Sequence, residues 1–306
     1  MGRGAPQEVT ASAPEAPEVF GVFGPTASGK SQVAELLARR LGTEVVSADA
    51  LQVYRGLPII TNQPLRPTRL VAIRDLDEEM SVGEFAALAH DAIGELVDAN
   101  GTAVVAGGTG LYLRAALVDM AIPRAPERGA RERWENAYDT DPTAAYAALV
   151  ELDPAAARVV HVNDRRRVVR ALELAEAGSS LVPDEDLLWS REMRRPSLVV
   201  GLDVPAAVLE RRIRARTQHM LVRGAADEAR SAVDGPISRT AAKALGLAEL
   251  ATLSPEDAAE RVVVRTRRYA AYQRKWMRRI PGLVTLDGTV SPEEVVDAIL
   301  DLARAR

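Results

Sequence analysis

The sequence contains no cysteine among its 306 residues, which excludes disulfide bonds and thiolate-bound zinc. It has three histidines, His90, His161 and His219, and they are too few and too scattered to indicate a histidine-based metal centre. No apolar run reaches the roughly 18 residues that a membrane-spanning helix needs. The lack of cysteine suits a reducing compartment, so we expect a cytoplasmic protein without a membrane partner.

An excess of positive charge is also missing. Lys and Arg total 39 against 43 Asp and Glu, which gives a formal charge of −4. The average charge therefore gives no support for a nucleic-acid partner, and any basic surface has to be local. Residues 1–17 contain several prolines and no continuous apolar segment. They are unlike a signal peptide, and we predict that they form a disordered tail.

The order of apolar segments predicts an α/β fold, with a parallel sheet flanked by helices. A strand-like run at 19–23 ends at a glycine, and helical spacing follows it as far as Gly42. Further strand-like runs lie at 43–47, 102–106, 197–202 and 283–286, with helical patterns between them. Alternating strands and helices are typical of a parallel sheet that is covered on both faces.

The middle of the chain has a different composition. Alanine, arginine and glutamate dominate residues 124–195, and no strand-like run interrupts them. We therefore predict a catalytic core formed by 18–123 and 196–306, with a helical insertion at 124–195. We expect the protein to be a monomer.

A phosphate-binding loop is predicted between the first strand and the first helix. Its residues are Gly24, Pro25, Thr26, Ala27, Ser28, Gly29, Lys30 and Ser31. The glycines let backbone N–H groups surround phosphate oxygens, the helix presents its positive end, and Lys30 adds a full charge. The Ser31 hydroxyl can bind a magnesium ion that bridges those oxygens. The loop alone does not distinguish kinases, nucleotide hydrolases and enzymes that bind only a diphosphate.

An acidic residue, Asp49, follows the second predicted strand. Residues just past the carboxyl ends of parallel strands face the ligand crevice, so we expect Asp49 near the bound phosphates. There it can bind magnesium or act as a general base, or it can simply cap the turn that follows. Gln52 offers both a donor and an acceptor, which suits the edge of a base.

A second glycine-rich turn, Gly107–Gly110, follows the strand predicted at 102–106. Glycines let the backbone come close to a ligand, and Thr109 adds a hydroxyl at the same edge of the sheet. The alternative is that these glycines only permit the turn from strand to helix.

Four segments together resemble the tRNA dimethylallyltransferases, also called tRNA isopentenylpyrophosphate transferases. They are the phosphate loop and the segments 47–56, 107–112 and 163–173. The resemblance extends from about Val19 to Arg279 and depends on the combination of the four segments. It implies a P-loop NTPase-like fold whose helical insertion binds tRNA. The implied reaction transfers a dimethylallyl group from dimethylallyl diphosphate to N6 of the adenine beside the anticodon.

The resemblance also implies roles for individual residues. The phosphate loop would hold the diphosphate of the donor rather than ATP, with Mg²⁺ at Ser31. Asp49 would take a proton from the adenine amine, and Thr109 would hydrogen-bond the bridging oxygen of the leaving diphosphate. The residues implied to contact the anticodon stem-loop of tRNA are Asp49, Ala50, Leu51, Gln52, Arg131, Arg166, Arg167, Arg170 and Lys243.

Basic residues are concentrated in three segments, 165–170, 211–216 and 261–279, and the last also contains two tyrosines and a tryptophan. Local positive charge beside aromatic side chains suits RNA, although each segment alone is equally typical of a solvated helix. The last segment departs from the family pattern, since Ala271-Tyr272-Gln273 stands where Lys-Arg-Gln is usual. Two other functions stay open, the prenylation of free adenine nucleotides and the phosphorylation of a small metabolite by a P-loop kinase.

Overall fold

The computed structural model describes residues 16–120, 129–182 and 187–306. Contacts divide these residues into two compact units. The sheet unit contains the described residues up to Val118 and from Arg191 onward, and the helical unit is Asp119–Ser190. Of the tail predicted at 1–17, residues 1–15 lie outside the described residues.

A six-stranded parallel sheet lies at the centre of the sheet unit. Its strands are β1 (Val19–Phe23), β2 (Val45–Ser47), β3 (Thr68–Arg69), β4 (Ala103–Gly107), β5 (Ser197–Asp203) and β6 (Val284–Asp287). They are arranged in the order β3-β2-β4-β1-β5-β6, and all neighbours are parallel. The predicted α/β fold with a parallel sheet is confirmed, and the unpredicted β3 is too short to leave a sequence pattern. The loops that follow the strands lie along one edge of the sheet.

The described residues form twelve α-helices. They are α1 (Lys30–Leu41), α2 (Val82–Asn100), α3 (Gly110–Leu117), α4 (Ala130–Thr140), α5 (Pro142–Leu152), α6 (Pro154–Val159), α7 (Arg165–Glu176), α8 (Ala206–Val222), α9 (Ala225–Val233), α10 (Leu247–Thr252), α11 (Pro255–Met277) and α12 (Pro292–Arg304). Helix α1 ends at Gly42 as predicted, because the φ of 68° there is left-handed and favours glycine. None of the helices in the described ranges combines the length and apolar composition that crossing a bilayer requires.

Helices cover both faces of the sheet. On one face, Phe20 and Val200 pack against Leu37 of α1 and Ile299 of α12, and burial of each such side chain contributes about 1.5–3 kcal/mol. On the other face, Gly21 brings β1 close to α3, since a Cβ built on it would lie 3.4 Å from Leu117. This packing holds the carboxyl ends of β1 and β4 in place, and the predicted site lies in the loops that follow them.

A second apolar cluster holds helices α8–α11 against the chain that follows β2. Leu57 and Ile60 are buried there among residues of α8, α9, α10 and α11, including Met220 and Val262. The Glu228 carboxylate of α9 reinforces this contact by accepting hydrogen bonds from the backbone N–H groups of Ile59 at 2.9 Å and of Ile60 at 2.8 Å. The cluster therefore brings α8 and α11 beside the loops at the carboxyl edge of the sheet.

Candidate active site

The phosphate loop connects β1 to α1. Ala27 and Gly29 both have left-handed backbone conformations, with φ values of 66° and 95°. A side chain at Gly24 would be excluded, because its Cβ would lie 2.5 Å from the Ser28 hydroxyl oxygen. That hydroxyl is buried and has no hydrogen-bond partner within the described residues. The loop thus keeps a hydroxyl that can donate to an anion.

The loop borders a cavity of about 420 Å³, which we call the loop cavity. Residues 27–33 line it from one side, and Arg212 and Arg216 of α8 line it from another. The pKa of Lys30 is lowered to about 8, because burial lowers it more than nearby Asp49 raises it, and Arg216 contributes to the lowering. A lysine whose charge is destabilised in this way gains strongly from a bound anion.

Arg212 and Arg216 of α8 belong to the basic segment 211–216, which the sequence indicated as a candidate for RNA contact, but both line the loop cavity. Arg212 points Nη1 toward the carbonyl oxygens of Ala27 and Ser28, at 3.4 Å from each. Arg216 is half-buried, and burial lowers the pKa of its guanidinium while the Asp49 carboxylate raises it. Together with Lys30, they give the loop cavity three cationic side chains.

Asp49 lines a second, smaller cavity of about 70 Å³, which we call the Asp49 cavity. Arg216 lines this cavity as well as the loop cavity. Apolar side chains form much of the remaining wall, namely Leu51, Ile60, Ile213, Met220, Leu245 and Val262. Asp49 Oδ1 also accepts a hydrogen bond from Leu51 N at 3.0 Å, so capping of the following turn and a place in the cavity occur together.

Helix α11 presents three residues to the loops, at the spacing i, i+4 and i+7 of one helical face. The hydroxyl of Tyr269 lies 3.4 Å from that of Thr109. Gln273 joins two loops, since its Oε1 accepts from Thr26 N at 2.8 Å and its Nε2 donates to the Gly108 carbonyl at 3.0 Å. Trp276 packs on Gly110. Burial, with a contribution from Asp49, raises the pKa of Tyr269 to about 12, so its hydroxyl stays protonated at neutral pH.

The glycine-rich turn after β4 is explained by close packing. A Cβ on Gly107 would lie 2.1 Å from the carbonyl oxygen of Ala48, and one on Gly108 would lie 2.3 Å from Gln273 Nε2. At Gly110 the nearest atom would be in the Trp276 ring, at 2.4 Å. These glycines therefore do more than permit a turn, because they let the turn contact α11 and Ala48, the residue that follows β2. Thr109 is the one residue of Gly107–Gly110 with a side chain, and a role for its hydroxyl in the reaction stays a prediction.

The predicted tRNA-contacting residues of the sheet unit have mixed surroundings. The Gln52 amide is held within the protein, with Oε1 accepting from the Ser47 hydroxyl at 2.8 Å and Nε2 donating to the Thr61 and Asn62 carbonyls. Ala50 and Leu51 are half-buried beside Asp49. Lys243 is exposed at the end of a short 3-10 helix, Ala241–Lys243. Gln52 thus orders the 61–62 segment, and a contact from it to a base stays a prediction.

The four predicted arginines of the helical unit fall into two pairs. Arg131 and Arg170 both approach the buried Glu173 carboxylate, at 3.5 Å and 3.6 Å. Arg166 and Arg167, at the start of α7, are exposed and form no ion pair within the described part of the chain. The second pair is therefore the one whose charge is available to a phosphate backbone.

A magnesium ion suits the loop cavity only in company with a phosphorylated ligand. The Ser31 hydroxyl lines this cavity beside Lys30. Across residues 16–120, 129–182 and 187–306, no group of three or more His, Cys, Asp or Glu could hold a metal ion. Mg²⁺ is commonly bound by one or two protein oxygens, substrate phosphates and water. A single hydroxyl at the phosphate loop fits that mode of binding.

Comparison with known families bears on this site directly. The family model described as IPP transferase matches residues 52–280, and the model described as isopentenyl transferase matches residues 17–77. The chain belongs to the IPP transferase family. The first match covers most of the sheet unit and the whole of the helical unit, so the family assignment does not depend on the phosphate loop.

Relatives in this family are similar over nearly their whole length. A tRNA dimethylallyltransferase of Anaeromyxobacter dehalogenans is 41% identical over 286 residues, which is 89% of this chain and 95% of the relative. A tRNA dimethylallyltransferase of Streptomyces coelicolor is 37% identical over 298 residues, 92% of this chain and 93% of the relative. These similarities support neither a metabolite kinase nor an enzyme that prenylates free nucleotides.

Solved structures agree with the family. The tRNA isopentenylpyrophosphate transferase of Bacillus halodurans superposes with a TM-score of 0.67 at 29% identity, over 95% of this chain and 98% of that one. A eukaryotic dimethylallyltransferase acting on tRNA superposes with a TM-score of 0.80 at 26% identity, over 95% of this chain and 80% of that one. The fold of the chain is accordingly the P-loop NTPase-like fold of these enzymes.

Proposed function

We propose that the protein transfers a dimethylallyl group from dimethylallyl diphosphate to N6 of the adenine beside the anticodon in tRNA. The observation that carries this proposal is the pair of cavities that share Arg216. One is lined by three cationic side chains and the phosphate loop, and the other has six apolar side chains in its wall and contains a carboxylate. A prenyl diphosphate has the same two parts, an anionic head and a short hydrocarbon chain.

The diphosphate would lie in the loop cavity. Backbone N–H groups of the loop, the Ser28 hydroxyl and the Lys30 ammonium would bind its oxygens, with Arg212 and Arg216 facing them from α8. The hydrocarbon chain would lie against the apolar wall of the Asp49 cavity. Magnesium held at Ser31 and the diphosphate would offset negative charge on the leaving group.

The reaction needs help at both ends. The adenine N6 amine is a poor nucleophile, because its lone pair is delocalised into the ring. As the bond from N6 to the terminal carbon of the prenyl group forms, the bond from that carbon to the bridging oxygen breaks, and its electron pair leaves with the diphosphate. The Thr109 hydroxyl would donate a hydrogen bond to that oxygen, and Asp49 would accept the proton that N6 loses. Neither step requires the hydrolysis of ATP.

The adenine must leave its stack to reach the donor, which favours a nucleotide of a loop such as the anticodon loop. We propose that residues 124–195 form the tRNA-binding insertion and that Arg166 and Arg167 contribute most of its phosphate contacts, since their charges are unpaired. Lys243 would add a contact from the sheet unit. A tRNA-modifying enzyme acts where tRNA is found, so we also propose a cytoplasmic location, and we propose that the protein acts as a monomer.

Incubation of the purified protein with Mg²⁺, labelled dimethylallyl diphosphate and unmodified tRNA tests this function. Label should enter tRNA, and nuclease digestion followed by mass spectrometry should place one prenyl unit on the adenine beside the anticodon. Parallel reactions contain AMP as the acceptor, or ATP in place of the donor. Transfer to AMP but not to tRNA, or phosphate transfer from ATP, would contradict the proposal.

A further inference from the structure

The basic residues of α11 are not equivalent. Arg267 is ion-paired with Glu210 and Arg274 with Asp203, each at 3.0 Å, and Arg265 is paired with Glu249. Arg268 and Lys275, by contrast, are exposed and form no ion pair with any described residue. Arg261, near the start of α11, is also exposed and forms no ion pair with any described residue. In the C-terminal half of α11, the positive charge that the helix can offer to an external anion is therefore at Arg268 and Lys275.

An exposed tyrosine, Tyr272, lies between Arg268 and Lys275. Arg268, Tyr272 and Lys275 follow the spacing i, i+4 and i+7, which places them on one face of α11. Tyr272 is 54% exposed, which is unusual for so large a ring. Its inner side stacks on Tyr269, with ring centroids 6.4 Å apart and an interplanar angle of 27°. The outer part of the ring is left for another partner.

This face lies next to the predicted chemistry. Tyr269 lines the Asp49 cavity, and its hydroxyl lies 3.4 Å from that of Thr109. The Tyr272 ring is thus separated from the Asp49 cavity by a single aromatic ring. A group that stacks on Tyr272 would lie immediately beside the substrate held in that cavity.

We propose that Arg268, Tyr272 and Lys275 form a stacking site for an unpaired base of the RNA loop, next to the adenine that is modified. This proposal rests on the proposed function and adds a specific subsite to it. An aromatic face flanked by two cations suits a base and its neighbouring phosphates. A protein partner would instead favour a contiguous apolar patch, and the neighbours of Tyr272 on this face are charged.

Such a site would act during base flipping. When the adenine leaves the stack, the adjacent base loses its neighbour, and the Tyr272 ring would replace that neighbour.

Substitutions at Tyr272 test the stacking. With an unmodified anticodon stem-loop as substrate, Tyr272→Ala should raise KM for RNA roughly 5- to 100-fold and leave KM for dimethylallyl diphosphate within about twofold. Tyr272→Phe should keep the wild-type KM for RNA, whereas Tyr272→Leu should raise it, because leucine has bulk but no π-face. An unchanged KM for RNA in Tyr272→Ala, or full rescue by leucine, would overturn the proposal.

Paired and unpaired cations of the same helix provide the matched control. The double variant Arg268→Gln, Lys275→Gln should lower the slope of log Kd against log salt by about 1–2. Arg267→Gln should leave that slope unchanged, and an equal effect of both variants would contradict the assignment. The subsite and the function can fail separately. If Tyr272→Ala prenylates tRNA with an unchanged KM, only the proposed subsite is wrong and the proposed function stands.

Discussion

The side chain of Gln273 accepts a hydrogen bond from the backbone N–H of Thr26 at 2.8 Å. The same amide donates to Gly108 at 3.0 Å, so one buried glutamine of α11 sets the spacing between the phosphate loop and the turn that carries Thr109. The two loops would act on one bond, the bond from carbon to the bridging oxygen. Their relative position should therefore matter for the rate more than for substrate binding.

Gln273→Ala should lower kcat by roughly 10- to 100-fold with a smaller change in either KM, because the loops lose their common partner. The free energy of unfolding should fall by about 1–3 kcal/mol, since a buried donor and acceptor lose their hydrogen bonds. Gln63→Ala is the matched control. The Gln63 amide also links backbone groups, since its Nε2 donates to the carbonyl oxygens of Gln52 and Tyr54, and these hydrogen bonds involve neither the phosphate loop nor the turn that carries Thr109.

The comparison of these two glutamines separates an effect on the relative position of the two loops from an effect on the stability of the protein. Steady-state kinetics gives kcat for each variant, and thermal unfolding gives the loss of stability of each. If Gln63→Ala loses as much kcat as Gln273→Ala at an equal loss of stability, Gln273 has a merely structural role.

Lys30 should make donor binding depend on pH. The ligand-free lysine has a pKa of about 8, so the affinity for inorganic pyrophosphate should fall as pH rises through that value and Lys30 loses its proton. Lys30→Met should bind pyrophosphate roughly 10- to 100-fold more weakly at neutral pH. Its affinity should also lack the fall that deprotonation of Lys30 causes in the wild type. Calorimetric titrations of both proteins between about pH 7 and 9.5 measure the difference. Parallel pH profiles would contradict a charged Lys30 in the cavity.

The same residue should lower the stability of the ligand-free protein. Its pKa falls from 10.5 to about 8 on folding, so between these pH values the unfolded chain binds more protons than the folded chain. Stability contributed by Lys30 should therefore rise with pH across this window. Lys30→Met should unfold at a higher temperature than the wild type at pH 7 without ligand, and a lower unfolding temperature would refute this expectation.

Helix α7 should show the difference between free and paired arginines. Arg166→Ala or Arg167→Ala should each weaken tRNA binding and lower the salt slope by about 1. Arg170→Ala should have a smaller effect, because the Glu173 carboxylate already lies 3.6 Å from Arg170. Arg133→Ala, which removes the ion-paired partner of Glu176, is the control and should leave tRNA affinity unchanged. Filter binding at several salt concentrations distinguishes these outcomes.

Much of the fold could be predicted because its signals are local. Each signal lies within a few residues of the element that it predicts: the apolar run of β1, the helical spacing of α1 and the glycine at 42. The phosphate loop and Asp49 are predictable for the same reason, since each directly follows a strand. β3 is two residues long and has no such local signal.

The missed site residues come from distant parts of the chain. Arg216 belongs to α8 and Gln273 to α11, and the hydrogen bond of Gln273 to Thr26 joins residues 247 positions apart. No short sequence motif predicts a contact between residues so far apart in the chain. The spacing of Tyr269, Gln273 and Trp276 on one helical face was a usable signal, because it set three polar or aromatic side chains along a single line. It was obscured by the surrounding arginines, three of which prove to be ion-paired.

The most direct test is the single-turnover rate of prenyl transfer by Asp49→Asn. Asparagine keeps an oxygen that can accept the hydrogen bond from Leu51 N, so the turn after β2 should stay intact, but it cannot take up the proton of N6. We expect the rate to fall by about 100-fold or more while tRNA affinity stays within a few fold. A rate equal to that of the wild type would show that Asp49 only caps a turn, and it would contradict the proposed mechanism.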